Sequence, residues 1–185
     1  MFLKLLLIYT LFYNKHTKWD DLDILIIDMP PGSGDIQITL GQNINIDASV
    51  IVSTPHNLSY IDVVKGIETF HNLKIPSICL IENMAYYMCP CCDNRENIFG
   101  NSKVKQIQTQ FGIKNSFEIP LLKEISNLQN IGQPPILVLS EEHPFSKIYK
   151  TISGNIIKDL YQIDKSEYDK IIKYNKNTNE VIYIE

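Results

Sequence analysis

Three uninterrupted apolar runs constrain the fold of this chain more than any other feature. They span residues 22–29, 48–54 and 76–83; the first is followed by Pro30, the second by Pro55, and the third ends in Glu82-Asn83. None shows the polar alternation of a strand with one wet face. Such runs are typical of strands buried on both faces, as in a parallel sheet covered by helices.

A helical pattern lies between the second and third runs. Ser59 is the predicted N-cap, and Ile61, Val64, Ile67 and Phe70 repeat at helical spacing. A strand, a helix and a strand in this order form the crossover that a parallel pair needs. The sequence therefore predicts an α/β fold with an open, doubly wound, mostly parallel sheet. Further helices are predicted at 102–111, 121–130 and 144–161, and short strands at 116–119 and 136–139.

The two ends of the chain differ from this pattern. Residues 1–161 are expected to form one domain, and residues 162–185 a polar linker followed by a β-hairpin. That hairpin either docks on the domain or begins a further small module. The apolar run from Met1 to Tyr13 is shorter than the roughly 20 residues of a membrane span, and no small-residue cleavage site follows it. We expect a buried helix there.

Charge and cysteine usage narrow the function classes. The 185 residues carry a formal net charge of −4, so no basic surface is expected to bind nucleic acid or an anionic membrane. Three of the four cysteines lie within residues 89–92. Clustered cysteines favour a metal or redox site in a reducing compartment over a secreted disulfide framework. The expectation is a soluble intracellular protein, in the cytoplasm or alternatively in a mitochondrion or plastid.

The first run ends in a candidate magnesium and phosphate site. Asp28 closes the run and is followed by Pro30, Pro31, Gly32 and Gly34. A carboxylate at the carboxyl end of a parallel strand, a Walker B element, can hold hydrated Mg²⁺ beside bound phosphates. The glycines allow backbone N–H groups to approach a γ-phosphate. The alternative is an ordinary strand that ends in an acid before a turn.

The third run leads into two further candidates. Asn83, at the strand end, has the donor and acceptor that an adenine edge requires, although a plain turn residue is an equal alternative. Cys89 and Cys92 are spaced so that two thiolates can share one metal. A four-iron cluster or a tetrahedral zinc takes four ligands, which favours two chains sharing one site. A redox dithiol, a zinc half-site and an adventitious group of thiols remain alternatives. Cys79, inside the run, is expected to be a core residue.

The ordered motifs resemble the Mrp/ApbC family, whose members are MinD-like P-loop ATPases that carry iron–sulfur clusters. The string Asp28-Met-Pro-Pro-Gly-Ser-Gly-Asp35 is similar to the family's Asp-x-Pro-Pro-Gly-Thr-Gly-Asp signature. Glu82-Asn83-Met84 followed by Cys89-Pro90-Cys91-Cys92 is similar to its Glu-Asn-Met and Cys-Pro-x-Cys segment. The resemblance covers about residues 18–160. Its other motifs are Ser53-Thr54-Pro55, Asp62-Val-Val-Lys65-Gly66, Ile98-Phe99-Gly100, Glu118-Ile119-Pro120-Leu121 and Gly132-Gln133-Pro134.

The resemblance implies a [4Fe–4S] cluster that bridges a homodimer through Cys89 and Cys92 of each chain. It implies that Asp28 positions Mg²⁺, that Gly32 and Gly34 line the γ-phosphate, and that Asn83 contacts the base of ATP. ATP binding and hydrolysis would then drive transfer of the cluster to apo iron–sulfur proteins.

The sequence also departs from the family. It contains no Gly-x-x-x-x-Gly-Lys loop, which in the family lies upstream of the resembling segment, so ATPase activity is expected only of a complete domain. Cys91 occupies a position where a non-cysteine is usual, Asp93 replaces a glycine, Leu122 an acid, and Asn101-Ser102 a glycine-rich pair. Three alternatives therefore stay open: a MinD/ParA-like positioning ATPase, a non-catalytic metal-binding dimer, and a gene model that starts at an internal methionine.

Overall fold

The computed structural model describes residues 23–30, 34–92 and 94–163, and the backbone of 171–175 and 180–184. The helix predicted for Met1 to Tyr13 and the candidate Gly32 lie outside the described residues. The elements are α1 (Asp35–Asn43), β1 (Ser49–Ser53), α2 (Asn57–Asn72), β2 (Ser77–Glu82), β3 (Tyr87–Met88), β4 (Arg95–Glu96), α3 (Val104–Phe111), β5 (Asn115–Glu118), α4 (Lys123–Asn130), α5 (Pro135–Val138), α6 (Pro144–Gln162), β6 (Ile171–Asn175) and β7 (Glu180–Ile184).

A parallel sheet of order β1-β2-β5 is the centre of the described structure. Ser53 aligns with Glu82, and Glu82 with Glu118, so the three strands end level. The ladder continues past the strand ends: the Asn83 N–H donates to the Ser53 carbonyl at 2.8 Å and the Ile119 N–H to the Glu82 carbonyl at 2.9 Å. The α/β class and the parallel sheet are confirmed, as are the strands predicted at 48–54, 76–83 and 116–119.

Helices cover both faces of the central strand. Leu80 is fully buried in a cluster with residues of α2 and α3, while its neighbour Ile81 packs against a second cluster with residues of α4 and α6. Successive side chains of a strand point to opposite faces, so these are the two layers of a doubly wound fold. The clusters consist of Ile51, Ile67, Leu80, Val104, Ile107 and Ile113, and of Ile119, Ile125, Phe145 and Ile152.

The prediction of a strand at 22–29 is wrong for residues 23–29, which are the part of it that the structure describes. They have no regular secondary structure, and the Ile26 side chain is 87% exposed. Burial on both faces is also wrong for β1, since Val50 and Val52 are exposed while alternate residues are buried. An apolar run becomes a buried strand only where a neighbouring strand supplies hydrogen bonds and helices cover its faces. Within the described residues β1 pairs with β2 alone.

Three other local predictions need correction. The strand predicted at 136–139 is a short helix, α5, because Pro135 sits at its first position, where a missing N–H costs nothing. The N-cap of α2 is His56 rather than Ser59, and its Nδ1 accepts the Leu58 N–H at 3.2 Å. The Ser59 hydroxyl bonds the Thr54 hydroxyl instead, at 2.7 Å. Helix α1 and the β3–β4 pair were not predicted.

The remaining predicted elements are confirmed. Helices α3, α4 and α6 fall within two residues of the predicted bounds 102–111, 121–130 and 144–161. The C-terminal hairpin is an antiparallel pair in which Ile171 faces Ile184 and Asn175 faces Glu180. No helix among the described residues has the length and apolar character needed to cross a membrane.

Candidate metal and nucleotide site at the carboxyl edge of the sheet

The carboxyl ends of β1, β2 and β5 form one edge, which is where ligands bind in open α/β sheets. Asn83 leaves this edge directly after β2 and is half-buried. Its Oδ1 accepts the N–H of Met84 at 3.0 Å, and Met84 has a left-handed φ of 53°. This sharp turn fixes the Asn83 amide at the edge. Among the described residues its Nδ2 has no hydrogen-bond partner, so a donor stays available there.

The segment that carries Asp28 leads into the start of α1. Asp28 is exposed, and Gly34 is the N-cap of α1 in extended conformation, without a side chain to cap the helix. The Gln37 amide nitrogen donates to the Pro30 carbonyl at 2.8 Å, so the first turn of α1 holds the preceding loop. The first N–H groups of a helix are open to an anion where no side chain caps them.

The cysteine motif occupies the tip of a small hairpin. Strands β3 and β4 pair antiparallel through Tyr87 with Glu96 and Met88 with Arg95. The Cys89 N–H donates to the Asn94 carbonyl at 2.9 Å and closes the tip. Cys89 is half-buried, whereas Cys91 and Cys92 are exposed. The motif thus projects from the sheet edge on a short pair of strands.

Hydrogen bonds at the tip favour a thiolate. The backbone N–H of Cys91, the Cys92 side chain and the Cys92 N–H lower the pKa of the Cys89 thiol. The thiolate is the form that binds a metal. No group of three His, Cys, Asp or Glu side chains within the described residues is placed to hold a metal ion. Within the described residues, one chain therefore offers Cys89 and Cys92 as two metal ligands.

Cys79 lies apart from this pair. It is 1% exposed in β2, and burial, assisted by the Asp159 carboxylate, raises the pKa of its thiol to about 11. At neutral pH it is a buried neutral thiol that fills the core, as its position in an apolar run indicates.

Glu82 is a functional candidate that the sequence reasoning missed. It is 2% exposed at the end of β2, and its Oε1 accepts the Lys103 N–H at 3.1 Å. Since Lys103 is the N-cap of α3, this bond joins the two ends of the connection 83–103 between β2 and α3, which carries the cysteine hairpin. The Ala85 N–H donates to the Ile119 carbonyl at 2.9 Å and anchors the same connection to the end of β5. A charged residue inside a buried apolar run was the available signal.

Comparison with known proteins places these features in a family. The family model described as "ParA: NUBPL iron-transfer P-loop NTPase" matches residues 7–157. The "iron-sulfur cluster transfer protein NUBPL" of Dictyostelium discoideum is 38% identical over 168 residues, which are 91% of this chain and 50% of that protein. An "iron-sulfur cluster carrier protein" of Pseudomonas fragi is 39% identical over 145 residues, covering 78% of this chain and 50% of that protein.

A solved structure shares the fold. It is a nucleotide-binding protein from Archaeoglobus fulgidus in complex with ADP, in which cobalt was found, with 34% identity and a TM-score of 0.63. The match covers 71% of this chain and 54% of that one. The chain spans about half the length of the curated relatives it matches.

Proposed function

The chain belongs to the NUBPL-type iron-transfer P-loop NTPase family, and from this premise we propose that it carries an iron–sulfur cluster and delivers it to apo iron–sulfur proteins. The cluster is cargo that the protein binds and releases. The observation that carries this proposal is the pair Cys89 and Cys92 at a hairpin tip, where neighbouring N–H and S–H groups lower the pKa of the Cys89 thiol. A tip at which Cys92 is exposed and Cys89 is half-buried suits a cluster that must be handed on.

The cluster we propose is [4Fe–4S], bound between two copies of the chain. Such a cluster takes four cysteine ligands. One copy offers Cys89 and Cys92, and no third ligand side chain joins them among the described residues. A second copy supplies the other two thiolates, so the homodimer and the cluster site form together.

The nucleotide part of the proposal concerns a domain that includes a phosphate-binding loop, since these 185 residues contain no Gly-x-x-x-x-Gly-Lys sequence. In that domain Asp28 would position Mg²⁺, Gly32 and Gly34 would line the γ-phosphate, and Asn83 would contact the base. Two features of the described residues support this assignment: no side chain caps the start of α1 at Gly34, and the Asn83 amide nitrogen has no hydrogen-bond partner among them. Hydrolysis of ATP would drive release of the cluster. The reducing compartment would be the cytoplasm or an organelle.

Anaerobic reconstitution tests the cluster. We expect iron and sulfide at about one four-iron cluster per two chains. Cys89→Ser and Cys92→Ser should each abolish binding, whereas Cys91→Ser, a matched change at the same tip, should leave it intact. Stoichiometric zinc that iron cannot replace would contradict the proposal and favour a non-catalytic metal-binding dimer.

Assembly tests the shared site separately. A metal that binds only the dimer stabilises the dimer by mass action. Light scattering on reconstituted protein should show a dimer that dissociates when a chelator removes the iron. A chain that stays monomeric while fully loaded would refute the shared site even if the cluster itself is present.

A further inference from the structure

The cysteine hairpin is too small to hold its own orientation. Strands β3 and β4 have two residues each, and an isolated hairpin even longer than this is marginal in water. Its orientation must therefore come from contacts with the domain. The β3 arm is held by the backbone, since the Leu121 N–H donates to the Tyr86 carbonyl at 2.7 Å.

Arg95 holds the β4 arm. Its Nη2 lies 2.6 Å from Oε2 of Glu118, the last residue of β5. Its guanidinium carbon also lies 3.9 Å from the centroid of the Tyr86 ring, just before β3. One side chain of the β4 arm thus contacts both the sheet edge and the base of the β3 arm.

These two contacts distinguish Arg95 from an ordinary surface charge. Exposed ion pairs contribute little, and the Arg95 and Glu118 side chains are 49% and 34% exposed. Here the planar guanidinium combines a charged hydrogen bond with a stacking contact on an aromatic face, which an ammonium group does not reproduce. The contact joins residues 23 apart in sequence. Its loss would free the hairpin while leaving the sheet and its two apolar clusters in place.

We infer that Arg95 is a positioning residue that holds the cysteine hairpin against Glu118 and so sets the direction in which Cys89 and Cys92 face the shared cluster. The cluster part of this inference rests on the proposed function. The orientation part concerns the metal-free chain alone. The residue is expected to affect how long a cluster is kept and how fast it is passed on, because both depend on the alignment of the two half-sites.

Hydrogen exchange in the metal-free protein tests the orientation directly. In Arg95→Ala, exchange at the Leu121 amide, which bonds the Tyr86 carbonyl between the domain and the base of the hairpin, should rise about fivefold, the scale of one partly exposed ion pair plus one cation–π contact. Amides of β2 should not change. Lys147→Ala, a change on α6 that removes a 2.6 Å ion pair with Glu142, is the matched control and should leave the hairpin unchanged. Equal exchange in Arg95→Ala and the unmodified chain would overturn the inference, and so would a rise that includes β2, because Arg95 would then act on general stability.

Cluster lifetime gives the second readout. Arg95→Ala should load the same iron but lose it to a chelator about fivefold faster. The Arg95→Glu and Glu118→Arg double variant restores the ion pair without the contact on the Tyr86 ring, so it should recover part of the lifetime. Arg95→Lys should also recover only part, because it keeps the charge and loses the flat stacking contact. Unchanged loss rates in Arg95→Ala would refute the positioning role. If the unmodified chain takes up no cluster, the proposed function fails, while the exchange measurement still decides whether Arg95 orients the hairpin.

Discussion

Two glycines in helix interiors provide a matched test of how α1 is docked. A Cβ added at Gly41 would lie 2.7 Å from Cδ1 of Leu73 and 3.1 Å from Cδ1 of Ile75. A Cβ added at Gly66, in α2, would meet nothing within 4 Å. Both changes to alanine remove the same backbone freedom from the unfolded chain. They differ in whether the new methyl group has room.

The magnitudes follow from that difference. Alanine in place of an interior helix glycine stabilises by roughly 0.5–1 kcal/mol, so Gly66→Ala should raise the free energy of unfolding by that amount. At Gly41 the same gain is opposed by overpacking of about 1–3 kcal/mol. Part of the strain is relieved if the Leu73 side chain turns away, but Ile75 is buried and has less freedom. Gly41→Ala should therefore fall below Gly66→Ala by about 1–3 kcal/mol.

Urea unfolding of both variants measures this gap, and thermal unfolding should show it as a difference of several degrees, at roughly 2–4 °C per kcal/mol. The double variant Gly41→Ala with Leu73→Ala should be less destabilised than the sum of its parts, since the contacting methyl group is gone. Equal stabilisation by Gly41→Ala and Gly66→Ala would refute the packing of α1 against the end of α2. Helix α1 begins directly after Gly34, and Gln37 in its first turn bonds the Pro30 carbonyl. The packing of Gly41 against Leu73 and Ile75 therefore also anchors the segment that contains Pro30.

Three further outcomes are expected. In the metal-free protein Cys79 should resist alkylation below about pH 11, because it stays a buried neutral thiol there. Cys89 should react at lower pH than an ordinary exposed thiol, because its pKa is lowered. Peptide mapping of alkylated protein across pH checks both, and labelling of Cys79 at low pH would contradict its burial. His143→Ala should lower the free energy of unfolding, measured in urea, by about 0.5–2 kcal/mol, because Nδ1 of His143 caps α6 by accepting the Phe145 N–H at 3.2 Å. Glu124→Gln should lower it less, because Glu124 contacts only Nε2 on the other side of the ring. Calorimetry should find weak binding of Mg-ATP and no turnover in the 185-residue chain, since charge-assisted bonds from a phosphate loop supply most phosphate affinity; tight magnesium-dependent binding would refute this.

The sequence predicted those parts of the fold whose partners lie close along the chain. The runs around Ile51 and Leu80 flank a clear helix, so their parallel pairing followed from periodicity and crossover length. The run at Ile26 has the same composition, yet whether it pairs depends on a neighbour that no local pattern reveals. Short apolar runs are equally ambiguous between helix and strand, and at Leu137 the prolines decided for helix.

The candidate site was predicted by residue type but not by its support. Cys89 and Cys92 follow from spacing, and Asn83 from its place at a strand end. The hairpin around the cysteines has only two residues per strand, and strands this short cannot be predicted from the β-propensity of their residues. The Arg95 contact to Glu118 could not be predicted from the sequence, because it joins β4 of the hairpin to the end of β5, 23 residues away, and depends on the tertiary fold.

The geometry of the hairpin tip bears on how two half-sites can form one cluster site. Ordering a residue costs roughly 1–2 kcal/mol of backbone entropy, so four disordered residues in each chain would cost roughly 4–8 kcal/mol per copy when the cluster binds. The bond from the Cys89 amide to the Asn94 carbonyl already orders part of the tip and so reduces this cost. When Cys89 and Cys92 are already ordered, the association of two copies is the main entropic cost of forming the site. The two thiolates that the second copy adds to the cluster can offset that cost. Since Cys92 is exposed, that pair remains open to a second copy, and in the dimer we propose the Arg95 anchor would align the two half-sites.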